Sequence, residues 1–154
     1  MIGLYRDNAV VLRSLKLGEA DLILSLMTQK NGKIRCVAKG ARKTQSRFGS
    51  RVEPTNHHQV QLYRGKGDLE TLTQVESIDR YPMIREDLEL FARASSMLEV
   101  VDHVAQEREP NEALYTMLAR ALHTVANSES HLVVAGFFLK LLHQDGFAPA
   151  VDVC

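Results

Sequence analysis

The sequence predicts an α+β chain in which a small five-stranded barrel is followed by an all-helical region. Three observations carry this. Five short segments of strand character fall within residues 1–80, and no stretch between them is long enough for a crossover helix. From Pro82 onward the apolar residues recur at three- and four-residue steps instead of two. The charge balance turns over at the same place. Residues 1–80 hold fourteen Lys/Arg against eight Asp/Glu, residues 81–154 hold five against eleven, and the whole is neutral.

The strands follow in order. Ala9 to Leu17 (AVVLRSLKL) is β-branched and leucine-rich, with polar residues entering at Arg13, and Gly18-Glu19 marks a turn. In Asp21 to Gln29, residues Leu22, Leu24, Leu26 and Thr28 share one face. Asn31-Gly32 is a two-residue hairpin signal, since a type I′ turn needs positive φ at both central residues. Lys33 to Lys39 then alternates, with Ile34, Cys36 and Ala38 on one face and Lys33, Arg35, Val37 and Lys39 on the other. Residues 40–50 have no strand period and read as a loop with one helical turn. His57 to Arg64 places Val60 and Leu62 together. The glycine-rich turn Gly65-Lys66-Gly67-Asp68 leads into Leu69 to Ile78.

Pro82 suits a first helical turn, and Glu86, Asp87 and Glu89 suit its dipole. One helix is expected from there, with a stripe of Leu88, Phe91, Ser95, Leu98, Val101, Asp102 and Ala105. Pro110 ends it and opens a second helix, striped by Leu114, Met117, Leu118, Ala121, Leu122 and Val125. A third runs from about Ser130 to Asp145. Its centre (VVAGFFLKLL) is apolar nearly all round, so it is expected to be the buried helix of the group. Gly146, Phe147 packing back on Leu142, and Pro149 read as its C-terminal stop.

These elements give two domains, 1–80 and 81–154. A 45% hydrophobic and 25% charged composition is that of a soluble globular protein. No apolar run approaches bilayer-spanning length, and the first residues lack a signal-peptide layout. Two cysteines, Cys36 and Cys154, cannot build a secreted disulfide framework, so a cytoplasmic protein is expected, with no membrane partner.

The segment Leu22–Val52 contains no Asp or Glu and eight basic residues. A β-hairpin bearing Lys33, Arg35 and Lys39 continues into a loop bearing Arg42, Lys43, Arg47 and Arg51. Such a surface can follow a phosphate backbone, each cation releasing counterions. Phe48, between Arg47 and Arg51, is a candidate base-stacking platform, although a lone phenylalanine is more often a core anchor. Tyr63, on the side opposite Leu62, is a weaker stacking candidate. The alternative is a solvated basic edge that discourages strand pairing.

Enzyme chemistry finds no support. The six histidines lack ligand spacing, and adjacent His57 and His58 point to opposite faces of a strand. Cys36 sits at an apolar strand position with no base beside it in the pattern. Gly65-Lys66-Gly67 lacks the rest of a phosphate-binding loop.

The run Val37-Ala38-Lys39-Gly40-Ala41-Arg42-Lys43 with Ser46-Arg47-Phe48 resembles the RecO family of bacterial recombination mediators. Leu17-Gly18-Glu19-Ala20-Asp21, Tyr63-Arg64-Gly65, Asp68-Leu69, Leu141-Leu142, Gly146-Phe147 and Pro149 fit the same resemblance, which spans nearly the whole chain. It implies an N-terminal OB-fold barrel and a helical domain. It also implies binding of single- and double-stranded DNA, annealing of complementary strands, and loading of recombinase onto DNA coated by single-strand-binding protein. The implied protein partners are the acidic C-terminal tail of that protein and RecR. For the tail, Arg120 and Lys140 with His143 beside them are the candidate basic rim of an apolar groove, although Lys140 could simply snorkel from a buried helix. Many members carry a four-cysteine zinc module, and Cys154 resembles its first ligand. With nothing after it here, no cofactor is expected, and the chain reads as a fragment or a truncated product with an incomplete helical domain. Two rival functions keep the same barrel: an RNA-binding OB protein, or an adaptor whose basic face docks acidic protein tails.

Overall fold

In the computed structural model, residues 2–127 and 132–144 are described. Five strands, β1 (Gly3–Leu17), β2 (Asp21–Thr28), β3 (Gly32–Ala38), β4 (His57–Arg64) and β5 (Glu70–Asp79), close a barrel in the order β1-β2-β3-β5-β4. All pairings are antiparallel except β3 with β5, which run parallel and close the ring through Cys36–Glu70 and Val37–Thr71. This is the ring order of a five-stranded OB barrel. Its interior is filled by Ala9, Val11, Leu24, Leu26, Ile34, Cys36, Ala38, Val60, Leu62 and Leu72. The alternation read from β2, β3 and β4 therefore points inward as expected.

Strand β1 begins six residues earlier than its apolar run. Residues 3–8 carry no hydrophobic alternation, because two of their inward positions are the half-buried Tyr5 and the buried Asp7. Asp7 is satisfied by the backbone N–H of Asn8 (2.8 Å) and Lys30 (3.1 Å) and the side-chain amide of Asn31 (2.7 Å). That carboxylate fixes the β2–β3 turn. The turn differs from the expected two-residue type. Thr28 pairs with Gly32 across a loop of Gln29, Lys30 and Asn31, and only Gly32 has positive φ (72°). Gly32 is required twice over, since a Cβ there would lie 2.1 Å from the carbonyl oxygen of Glu109.

The helices are α1 (Pro82–Glu86), α2 (Leu88–Val104), α3 (Glu112–Asn127) and α4 (Val133–Gln144). The single helix expected from Pro82 is broken at Asp87, which adopts an extended conformation (ψ 115°) and accepts from the N–H groups of Glu89 and Leu90. The buried stripe of α2 is Ala94, Met97, Leu98 and Val101, rotated from the expected one, and Leu88 is 85% exposed. Helix α3 buries the expected stripe, with Met117 partly exposed and Tyr115 added. Helix α4 is not the buried helix of the group. Only Phe137 and Leu141 are buried, while Leu139 and Leu142 are exposed, because α4 lies on the outside of α2 and α3 with one face against them. The expected cap at Gly146, Phe147 and Pro149 lies outside the described residues.

Barrel and helices share a core. Val10 and Leu12 on the outer side of β1, with Met27 of β2, pack into the cluster formed by α1–α4. Residues 9–12 are thus apolar without interruption because both faces of β1 are buried there. A strap between α2 and α3 completes the junction: Arg108 donates its N–H to the Lys33 carbonyl (2.9 Å), and its guanidinium lies 3.5 Å from the buried carboxylate of Glu70.

Candidate nucleic-acid interface

The acid-free segment does not form one continuous cationic face. It is divided three ways by what each side chain touches. Lys33 and Arg35 point outward from β3, as alternation demands, but the helical region meets them. Lys33 Nζ donates to the Asp102 carbonyl oxygen (2.7 Å) and lies 3.5 Å from the Asp102 carboxylate, and both side chains are largely buried. Arg13 approaches the same carboxylate at 3.6 Å. Arg35 pairs with Glu107 at 2.8 Å. The expectation that Lys33, Arg35 and Lys39 form a free trio on the hairpin is therefore corrected: two of the three are neutralised by acids about seventy positions downstream. The clue lay in the sequence, where Asp102 is the one charged residue of the helical stripe Leu88, Phe91, Ser95, Leu98, Val101, Asp102 and Ala105.

The second group lies beside the β1–β2 turn. Lys39, Arg42 and Lys43 are exposed. The Arg42 guanidinium donates to the carbonyls of Asp21 (3.1 Å) and Gly18 and so is held in place, with no carboxylate among its partners. Lys39 and Lys43 have no ion pair among the described residues. Asp21 is occupied otherwise, accepting the N–H of Gly40 (2.7 Å), which anchors the loop that carries these cations.

The third group crosses the end of the barrel. Arg51 is half-buried and donates to the carbonyls of Phe48 (3.1 Å), Val75 (2.9 Å) and Arg47. Its donors hold the short 3₁₀ turn Gly49–Val52 against β5, so it acts as a clip. Arg47 is exposed, with its guanidinium 5.0 Å from the Phe48 ring centre. Phe48 itself is 1% exposed and packs with Ala41 and Val52 into the barrel end. Its proposed stacking role is thus corrected: the ring is a core plug, and no base can reach its faces. Tyr63, by contrast, is 44% exposed on the outer face of β4.

The remaining candidates are placed as follows. His57 contacts the Tyr115 hydroxyl and stacks edge-on against its ring, joining β4 to α3. His58 is buried, its Nε2 donates to the Arg51 carbonyl, and burial pulls its pKa down to about 4. Burial pushes the Cys36 thiol well above its ordinary range. Among the described residues no group of three or more His, Cys, Asp or Glu side chains could hold a metal, and Cys154 lies outside them. Arg120 and Lys140 are exposed and line the same cleft between α3 and α4, about 820 Å³, whose apolar lining includes Met117, Val133 and Phe137. His143 is exposed but does not line that cleft.

The class of the chain follows from this arrangement: an OB barrel with an exposed cationic loop, fused through a shared core to a helical region. Comparison with known proteins narrows it. Residues 1–81 match the family described as Recombination protein O N terminal, and residues 85–154 match Recombination protein O C terminal. The chain belongs to the recombination protein O family. It is 41% identical over 158 aligned positions to the DNA repair protein RecO of Cutibacterium acnes, covering 97% of this chain and 64% of that protein. It is also 41% identical over 155 positions to the DNA repair protein RecO of a Nocardioides species, covering 98% of this chain and 63% of that protein. The chain thus spans less than two thirds of the length of these relatives.

Proposed function

We infer that this chain is a non-catalytic DNA-binding protein of recombinational repair, working in the cytoplasm, which anneals complementary strands and helps to load recombinase onto DNA coated by single-strand-binding protein. The observation that carries the reading is the loop of Lys39, Arg42 and Lys43, with Arg47 further along. It is exposed, carries no carboxylate of its own and is anchored to the barrel through Asp21. Four such cations can neutralise phosphates of a single strand or of a duplex without reading sequence. The domain division at residue 80 fits this reading, with the barrel binding nucleic acid and the helical part supporting it.

Fluorescence anisotropy with a labelled single strand tests it, alongside annealing of quenched complementary strands. The Lys39→Glu/Lys43→Glu variant should bind at least tenfold more weakly and anneal more slowly with an unchanged melting temperature. Equal affinity in the folded variant would move the interface elsewhere. The same titration with RNA of equal length separates the RNA-binding alternative.

The α3–α4 cleft supports a second, protein-binding role. Its apolar lining and the cations Arg120 and Lys140 suit an acidic peptide tail ending in an apolar residue, as the tail of single-strand-binding protein does. Glu112 at the same cleft opposes this, so the binding is weak. Calorimetry should detect such a peptide with the wild type and lose it with Lys140→Glu. RecR remains a further proposed partner, with no residues assigned to it.

A further inference from the structure

The outer faces of β1, β4 and β5 form a platform that the cationic loop does not include. Register across the three strands sets side chains in rows. Leu4 lies beside Tyr63 and Thr71, Arg6 beside Gln61 and Gln74, and Asn8 beside Gln59 and Glu76. Arg6 is exposed, and its Nε lies 3.3 Å from the Gln61 amide oxygen. Leu4 is 62% exposed and Tyr63 44% exposed at the adjoining row. Between these rows and the loop carrying Arg47 and Arg51 lies a cleft of about 450 Å³, where Glu76 is the sole carboxylate among the described residues.

Each chemical feature points to the same ligand. Guanidinium groups bond phosphate oxygens in pairs. Glutamine amides both donate and accept, so they satisfy the edge of any unpaired base. An exposed tyrosine beside them offers a stacking face. A duplex is a poor fit, because reading its major groove takes a protruding helix or ribbon, whereas a recessed cleft on a sheet takes splayed, unpaired bases. A protein strand is also a poor fit on the β1 and β4 rows, because β4 is paired along both edges, by β1 and by β5.

We propose that this platform is a second single-stranded nucleic-acid site, in which Arg6 holds a phosphate, Tyr63 stacks a base, and Gln61 and Gln74 bond base edges. It rests on the reading of the chain as a DNA-binding protein. The two sites lie on opposite flanks of one loop. Arg42 is tied to Gly18 and Asp21 at the β1–β2 turn, whereas Arg51 is tied to Val75 on β5. One chain would then hold two unpaired strands a short distance apart, which is what annealing requires.

Sedimentation equilibrium with oligothymidylate of about eight nucleotides, within the usual span of one OB fold, gives the stoichiometry on single protein chains. Wild-type protein should bind two. Arg6→Glu/Tyr63→Ala should bind one at the same concentration, with the weaker site reduced at least tenfold and the melting temperature unchanged. Photocrosslinking with a bromodeoxyuridine oligonucleotide should label Tyr63. A wild-type stoichiometry of one without a Tyr63 crosslink would overturn the platform while leaving the proposed function standing. Two strands still bound to Arg6→Glu/Tyr63→Ala would also overturn it. No binding by the wild type would overturn both.

Discussion

Replacing Lys33 separates the two roles that a basic residue in this chain can have. Its ammonium sits 2.7 Å from the Asp102 carbonyl oxygen and 3.5 Å from the Asp102 carboxylate, with side chains 15% and 14% exposed. Lys33→Met keeps the aliphatic stem and removes the charge, leaving Asp102 under-compensated at the barrel–helix junction. Breaking a fully buried pair costs about 3–5 kcal/mol. Here Arg13 remains at 3.6 Å and some solvent reaches the site, so a loss of about 2 kcal/mol is expected. For a chain of this size that lowers the melting temperature by about 4–8 °C. Urea and thermal denaturation measure the loss. Lys33→Met with Asp102→Leu in a double-mutant cycle should recover part of it. Anisotropy on the folded Lys33→Met variant should give wild-type DNA affinity within twofold. Unchanged stability together with weakened DNA binding would refute the reasoning, because Lys33 would then be facing phosphate and not Asp102.

Three further outcomes are expected. Gly32→Ala should destabilise the fold by about 3 kcal/mol, since its φ of 72° and the 2.1 Å approach to the Glu109 carbonyl both exclude a Cβ; calorimetry would show it. Asp87→Ala should cost about 1 kcal/mol by removing the α2 cap, read as a lower urea midpoint. His58 is held neutral, with a folded pKa of about 4 against an ordinary 6.5. The unfolded chain therefore binds the extra proton between those values, and stability present above pH 6.5 falls as pH drops towards 4, by up to about 3 kcal/mol. His58→Gln, which keeps a donor for the Arg51 carbonyl, should flatten urea midpoints over that window.

The parts legible in the sequence are those fixed by local alternation. Ile34, Cys36 and Ala38 declared the inner face of β3, and Val60 and Leu62 that of β4, because a half-buried strand repeats every two residues. The start of β1 was not legible, because Asp7 and Tyr5 occupy inward positions for hydrogen-bonding reasons and break the apolar pattern. The break at Asp87 was not legible either, since a carboxylate early in a helix suits the dipole and the cap alike. For the site, charge counting located the basic block but could not divide it. Lys33 and Arg35 are neutralised by Asp102 and Glu107, partners set by tertiary packing, and Phe48 is drawn inward by the open end of the barrel. The amide row on β1, β4 and β5 is not legible in the sequence, because its residues are far apart along the chain and meet only through strand register.

The salt dependence of single-strand binding tests the central claim most directly. With Lys39, Arg42, Lys43 and Arg47 as the phosphate contacts, log K against log salt should fall with a slope of about −2.8, at about 0.7 for each contact on a single strand. Measured with limiting oligonucleotide, Lys39→Glu/Lys43→Glu should reduce that slope by about 1.4. A slope near zero would remove the electrostatic interface. A wild-type slope of about −5, as contacts from all seven of Lys33, Arg35, Lys39, Arg42, Lys43, Arg47 and Arg51 would give, would contradict the division of the block between DNA and the fold.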